Sequence, residues 1–136
     1  MEERVRRAVE QLEAALDDFS TSLAIDLASL EAAVADAVRS GQAQKFEFCV
    51  ELSWKTLKRF IEHYHGFDLA SPKATIKKAL ELGLLDYAEY ESLLRAVELR
   101  NSLSHIYGKE AFNRIHAELI GLRDPLRACL ASMKGR

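Results

Sequence analysis

Eight consecutive residues, Arg100-Asn101-Ser102-Leu103-Ser104-His105-Ile106-Tyr107, bring a guanidinium, a carboxamide, an imidazole and a phenol together. Arginine carries a permanent charge on a planar fork that fits phosphate oxygens two at a time. Histidine takes up and returns protons near neutral pH. Cleavage of a phosphodiester by a neighbouring hydroxyl needs a proton acceptor, a proton donor and a cation for the charge that builds on the phosphoryl oxygens. His105 suits either of the first two tasks, Arg100 suits the third, and Asn101 can orient either partner. On a continuous helix Asn101 and His105, four residues apart, share a face. The long side chain of Arg100 reaches the same place, and Tyr107 follows just past the helix end. One chain carries one such set, so a site with two sets needs a two-fold dimer. The same string also fits an ordinary helix end, where each cation near the last carbonyls gains about 0.3–1 kcal/mol from the macrodipole.

The elements that must position this string read as helices. Val5, Ala8, Val9, Leu12, Ala15, Leu16 and Phe19 recur every three or four residues and predict a first helix, ended by Ser20-Thr21-Ser22. A long helical region is expected over residues 27–64. Leu30, Val34 and Val38 line its first part. Phe46, Cys49, Val50, Trp54, Leu57, Phe60, Ile61 and Tyr64 line its second. Ser40-Gly41 is a place for a break or bend, and Gly66 a place for the cap. Ser71-Pro72 opens a third helix carrying Ile76, Ala79 and Leu80. Asp86 caps a fourth, with Tyr90, Leu93, Leu94 and Val97 inward, ending near His105. A fifth uses Phe112, Ile115, Leu119 and Leu122, and Asp124-Pro125 caps and restarts it as a terminal segment. No period-two strand is visible. The expected architecture is all-α: an antiparallel up-and-down bundle of about five helices, in a single domain over residues 1–136.

Composition narrows the function classes. Apolar residues make up 49% and charged residues 29% of 136, ordinary for a folded domain. The formal net charge of −2 gives no global attraction to nucleic acid, so any RNA contact must use a local patch. Lys73, Lys77 and Lys78 are the candidate patch, for RNA or an acidic partner face; a merely solvated face fits them equally well. No apolar run reaches the ~20 residues of a membrane span. Met1-Glu2-Glu3 lacks the pattern of a signal peptide, and the expected location is the cytoplasm. Cys49 and Cys129 are solitary and read as small core residues. Glu47 and Glu51 are spaced for a metal, but Lys55 and Lys58 follow, as on an exposed ion-pair face. His63 and His65 point apart on a helix. Trp54 with Phe46 and Phe48 could stack bases, but Trp54 at helical spacing beside Leu57 and Phe60 fits a core or dimer interface better. Tyr87 and Tyr90 read as packing residues. No metal or cofactor is expected.

Three stretches in order carry a family resemblance. Lys45-Phe46-Glu47-Phe48-Cys49-Val50-Glu51-Leu52-Ser53-Trp54-Lys55-Thr56-Leu57-Lys58 resembles the FE-x-x-x-EL-x-WK-x-LK signature of the nucleotidyltransferase substrate-binding family, within the HEPN superfamily. Ser71-Pro72, Ile76 and residues 79–85 resemble its second segment. Arg100, His105 and Tyr107 resemble its R-x4-H-x-Y motif. The resemblance covers residues 46–112. It implies a helical, HEPN-like homodimer that works with a separate minimal nucleotidyltransferase, as in toxin–antitoxin modules. It further implies a metal-independent ribonuclease toxin with Arg100 and His105 catalytic, Asn101 auxiliary, and Tyr107 adenylylated by the antitoxin. An AMP group there sets anionic phosphate beside Arg100 and His105. The alternative implied by the same family is a non-catalytic substrate-binding subunit of a nucleotidyltransferase complex.

Overall fold

In the computed structural model, which describes residues 1–106 and 108–135, the chain forms six α-helices and two 3-10 turns, with no strand among the described residues. They are α1 (Glu3–Leu23), α2 (Ala32–His65), α3 (Pro72–Glu81), α4 (Tyr87–Leu103), α5 (Lys109–Leu119) and α6 (Arg123–Met133). A 3-10 turn at Leu27–Ser29 precedes α2, and another at Ile120–Leu122 joins α5 to α6. The all-α expectation therefore holds, with the fifth helix and its terminal restart appearing as α5 and α6.

The local signals explain most boundaries. Glu2 caps α1 by accepting from the Arg4 and Val5 amides. Ser71 caps α3 through the Ala74 amide, with Pro72 in the first turn. Asp86 and Glu89 form a reciprocal capping box on α4. Gly66 ends α2 at φ 75°, a conformation that a Cβ disfavours.

Four expectations are corrected. The serines at 20–22 do not end α1, because Ser22 turns its hydroxyl back onto the Phe19 carbonyl and the helix continues to Leu23. The region after residue 27 is not one helix: the chain makes a 3-10 turn that Asp26 caps, and α2 starts at Ala32. Ser40-Gly41 does not break α2, which runs unbroken for 34 residues. Asp124 does not cap α6; it sits in the first turn behind Leu122, which makes no side-chain cap bond.

Helix α2 is the spine and touches all five other helices. Alongside α1 it runs antiparallel: the Tyr64 hydroxyl accepts from the Glu2 amide at 2.7 Å, the Cys49 thiol from the second half of α2 meets the Ala15 carbonyl, and Gln42 reaches the Ser22 carbonyl at 2.8 Å. Helix α6 returns along α1, with Arg127 on Asp17 and Lys134 on Glu13. One core joins Leu12, Leu16, Phe19, Phe46, Leu57, Phe60, Ile61, Ile76, Leu99, Leu126 and their neighbours. Both cysteines are buried in it, and burial pushes each thiol up to about 12. Trp54 is half-buried and Tyr64 exposed, so neither belongs to the sealed seam. No helix of the described chain is long and apolar enough to cross a membrane.

The first half of α2 differs from its expected seam. Val34 is 47% exposed, and Leu30 and Val38 are only half-buried. The buried positions are Ala35, Gln42 and Ala43. This stretch packs through small residues and one satisfied amide, not through a branched apolar stripe.

Candidate functional site

Helix α4 delivers the motif and then stops. Its last helical residue is Leu103; the Ser104 amide bonds to the Asn101 carbonyl and the His105 amide to the Ser102 carbonyl, at 3.2 and 2.9 Å. His105 is thus held in a tight turn past the helix, not on the continuous helix that four-residue spacing predicts. The turn still brings it back to Asn101: the two line one open hollow with Ser102, Ile106 and Ala111. Both side chains are exposed. Tyr107 lies outside the described residues. Gly108, next to it, has φ 98° and ψ 149°, a region almost restricted to glycine, and from there α5 begins.

Arg100 sits on the neighbouring flank, and a helix remote in sequence aims it. Its Nη2 meets Glu51 Oε2 on α2 at 2.7 Å, and its Nη1 approaches Asn101 Oδ1 at 3.4 Å. Glu51 also holds Lys55 at 2.9 Å and accepts from the Trp54 indole at 3.3 Å. Burial alone would raise this carboxyl, but the bonds from Lys55 and Trp54 and the charge of Arg100 hold it below the usual carboxylate range. Glu51 is therefore an anion at neutral pH, and a fixed one. Glu47, one turn earlier, is shifted upward by burial, against the pull of Arg100. The ion-pair reading of Glu51 with Lys55 holds, yet its tie to Arg100 was not visible in the sequence. No group of three or more histidines, cysteines, aspartates or glutamates is placed to hold a metal among the described residues.

A second hollow lies on the other side of Ile106. Asp36, Ser40, Glu47, Leu103, Gly108 and Lys109 line it. Lys109 meets Asp36 at 2.6 Å, and this bond, outweighing burial, holds the Asp36 carboxyl low. Behind it, Gln42 Oε1 accepts from His116 Nε2 at 2.7 Å while its amide donates to the Ser22 carbonyl. Burial, helped by the charge of Arg39, lowers the His116 pKa and keeps the ring neutral. These bonds fix α5, and with it the far wall of the site. Nothing in the local sequence pattern singled out Gln42 and His116, which lie 74 residues apart.

The three lysines of the expected patch are not equivalent. Lys73 and Lys77 are exposed, but Lys78 is half-buried, pairs with Glu81 at 2.9 Å and stacks over the Phe67 ring at 4.2 Å. Phe46 is fully buried and Phe48 is 60% exposed, so the two cannot form one stacking platform.

The chain is an all-α bundle of the HEPN type, in which Arg100 near the end of α4 is tied to the spine helix through Glu51. The family model described as "Nucleotidyltransferase substrate binding protein like" matches residues 3–133, and the chain belongs to this family. Its fold is similar to that of a Thermus thermophilus protein, at 25% identity and a TM-score of 0.79, covering 90% of this chain and 98% of that one. It is also similar to a Haemophilus influenzae protein described as having the fold of a substrate binding domain of a nucleotidyltransferase. That likeness has 22% identity and a TM-score of 0.80, and covers 93% and 98% of the two chains. No curated protein matches the chain.

Proposed function

We propose that this chain is a HEPN-type ribonuclease toxin, a single domain acting as a homodimer, kept silent by a partner nucleotidyltransferase that adenylylates Tyr107. The observation that carries the reading is a guanidinium held at 2.7 Å by a half-buried carboxylate, next to a carboxamide and an imidazole that both stay open to solvent. A structural ion pair would not need the open neighbours. In the proposed reaction His105 takes the proton of the ribose 2′-hydroxyl. The oxygen attacks phosphorus, the 5′-oxygen leaves with a proton, and a cyclic phosphate remains. The proton reaching the 5′-oxygen comes from the second His105 of the dimer or from water. Arg100 neutralises the charge on the phosphoryl oxygens, and Asn101 orients the phosphate. Glu51 is a positioning residue, acting through Arg100. Adenylylation forms a bond from the Tyr107 oxygen to the α-phosphorus of ATP and releases pyrophosphate. It adds an anionic phosphate and a bulky nucleoside to the motif, which would oppose the binding of an RNA phosphate.

The test is RNA cleavage by the purified, unmodified chain beside its His105→Ala variant, with intact masses recorded. The parent should cleave and the variant should lose at least about a hundredfold, as expected for removal of a general acid–base. Equal cleavage by both removes His105 from the site.

One observation favours a second reading, a non-catalytic subunit that presents substrate to a nucleotidyltransferase: the family description and the Haemophilus influenzae domain both point to substrate binding. An unmodified folded dimer that cleaves no RNA, yet raises the turnover of the partner transferase, would establish it.

A further inference from the structure

Several unassigned cations gather where the start of α1 meets the second half of α2. Two hollows adjoin there. One is lined by Arg4, Trp54, Lys55, Lys58, Arg59 and His63, together with the carboxylates of Glu2 and Glu62. The other is lined by Arg4, Arg7, Gln11, Lys55 and Arg59. Arg4, Lys55 and Arg59 line both, so the two hollows adjoin along one row of cations and make a two-part groove across α1 and α2. All four cations Arg4, Arg7, Lys55 and Arg59 are exposed.

The acids around the groove are already committed. Glu2 caps α1, and its bonds to the Arg4 and Val5 amides hold its pKa low. Glu62 pairs with Lys58, and Glu3 serves Arg6 and Arg7. Glu51 is shared between Lys55 and Arg100. Among the described residues Arg59 makes no salt bridge, and Arg4 makes none either, although its charge acts on the Glu2 carboxylate. A chain with net charge −2 thus keeps a local excess of positive charge, in arginine forks suited to phosphate. The groove is joined to the motif through Glu51, which touches Lys55 on one side and Arg100 on the other. At one flank stands the half-buried Trp54 ring, a surface on which a base can rest.

We infer that this groove binds the phosphate backbone of single-stranded RNA and leads it to Arg100. The inference rests on the ribonuclease reading for the identity of the polyanion. A groove meant for a protein partner would need a desolvated apolar anchor at its centre; here the centre is a line of solvated cations.

The experiment measures fluorescence anisotropy of a short labelled uridine oligomer on the full-length chain carrying His105→Ala, so that cleavage cannot erode the probe. Adding Arg4→Ala and Arg59→Ala should weaken binding about tenfold or more, by removing two charge-assisted contacts. It should also make the log–log salt dependence shallower by about 1.4, at about 0.7 for each phosphate lost from a single strand. Lys73→Ala with Lys77→Ala should leave both quantities in place. All the substituted residues are exposed, and circular dichroism checks that the fold is kept. Binding that is unchanged by the Arg4/Arg59 pair, absent from every variant, or equally weakened by the lysine pair overturns the inference. So does a glutamate-rich peptide that displaces the oligomer and binds more tightly, which would assign the groove to a protein. Cleavage by the parent chain is read separately. If it is absent while groove binding stands, the ribonuclease reading fails and this one does not.

Discussion

The two halves of α2 are built differently, and they support the candidate site in different ways. From Phe46 onward the helix buries Cys49, Val50, Leu57, Phe60 and Ile61, an apolar seam interrupted by buried Ser53 and Thr56. Before Phe46 it buries only Ala35, Gln42 and Ala43. The apolar half holds the bundle together and turns Glu51 outward, where it aims Arg100. The polar half contributes little hydrophobic area. It fixes α5 through directional bonds, Gln42 to His116 and Asp36 to Lys109. Apolar burial is tolerant of small displacements, and hydrogen bonds are not. A site whose two walls are set by these two devices has one wall secured by bulk and the other by geometry.

The largest test of this contrast is Phe60→Ala in the apolar half. Phe60 is 1% exposed and packs its ring 4.9 Å from that of Tyr64. Truncation should cost about 3–5 kcal/mol in urea unfolding and weaken the whole bundle. Site-specific loss, with global stability intact, would mean the seam is not the common support.

Next in size is Gln42→Leu. It leaves the His116 Nε2 donor without its acceptor, while the Ser22 carbonyl keeps the Ile25 amide, and about 1–3 kcal/mol should be lost. The double variant Gln42→Leu/His116→Leu should recover part of this, because removing both partners costs less than orphaning one. No recovery would mean that the amide matters for shape rather than for hydrogen bonding.

These two sites also divide what the sequence could disclose. The faces of α1 and of later α2, and the caps at Ser71, Asp86 and Gly66, follow from spacing and from side chains acting on nearby backbone. Such signals are local. The contacts that build the candidate site are not. Glu51 was readable as a partner of Lys55, four residues on, but its bond to Arg100 spans α2 and α4. The basic strings around Arg4 and Arg59 are each visible, yet only the antiparallel pairing of α1 with α2 makes one groove of them. Gln42 carried no signal at all, since a buried glutamine is recognised by its partners and not by its period. The motif itself is legible, but α4 ends at Leu103, two residues before the end that spacing predicts, so His105 reaches Asn101 through a turn and not along a helix.

A third, smaller effect should appear in the pH dependence. Burial lowers the His116 pKa from its ordinary 6.5. The unfolded chain therefore binds more protons than the folded one once the pH drops below 6.5. The contribution is fully present above that value and is lost progressively as the pH falls through the lowered folded pKa. Melting temperature measured across this range should decline on acidification, and His116→Asn should decline less. Identical slopes would show that the ring is free to take a proton in the folded state, against its burial beside Gln42 and the charge of Arg39.

The smallest expected effect is a gain, and it tests whether the polar half of α2 needs its freedom. Gly41 is helical, and a Cβ added there meets nothing within 4 Å. Glycine inside a helix costs roughly 0.5–1 kcal/mol relative to alanine. Gly41→Ala should therefore stabilise by about that amount and raise the melting temperature by about 2–4 °C in a chain of this size. If α2 acts only as a rigid spine, the RNA cleavage proposed for the chain should be unchanged, because the added methyl touches neither wall of the site. A stabilised variant with slower cleavage would mean that the helix bends at Ser40-Gly41 during turnover. Ser40 lines the hollow beside Ile106, so such a bend would move that wall and leave the one carrying Arg100 in place.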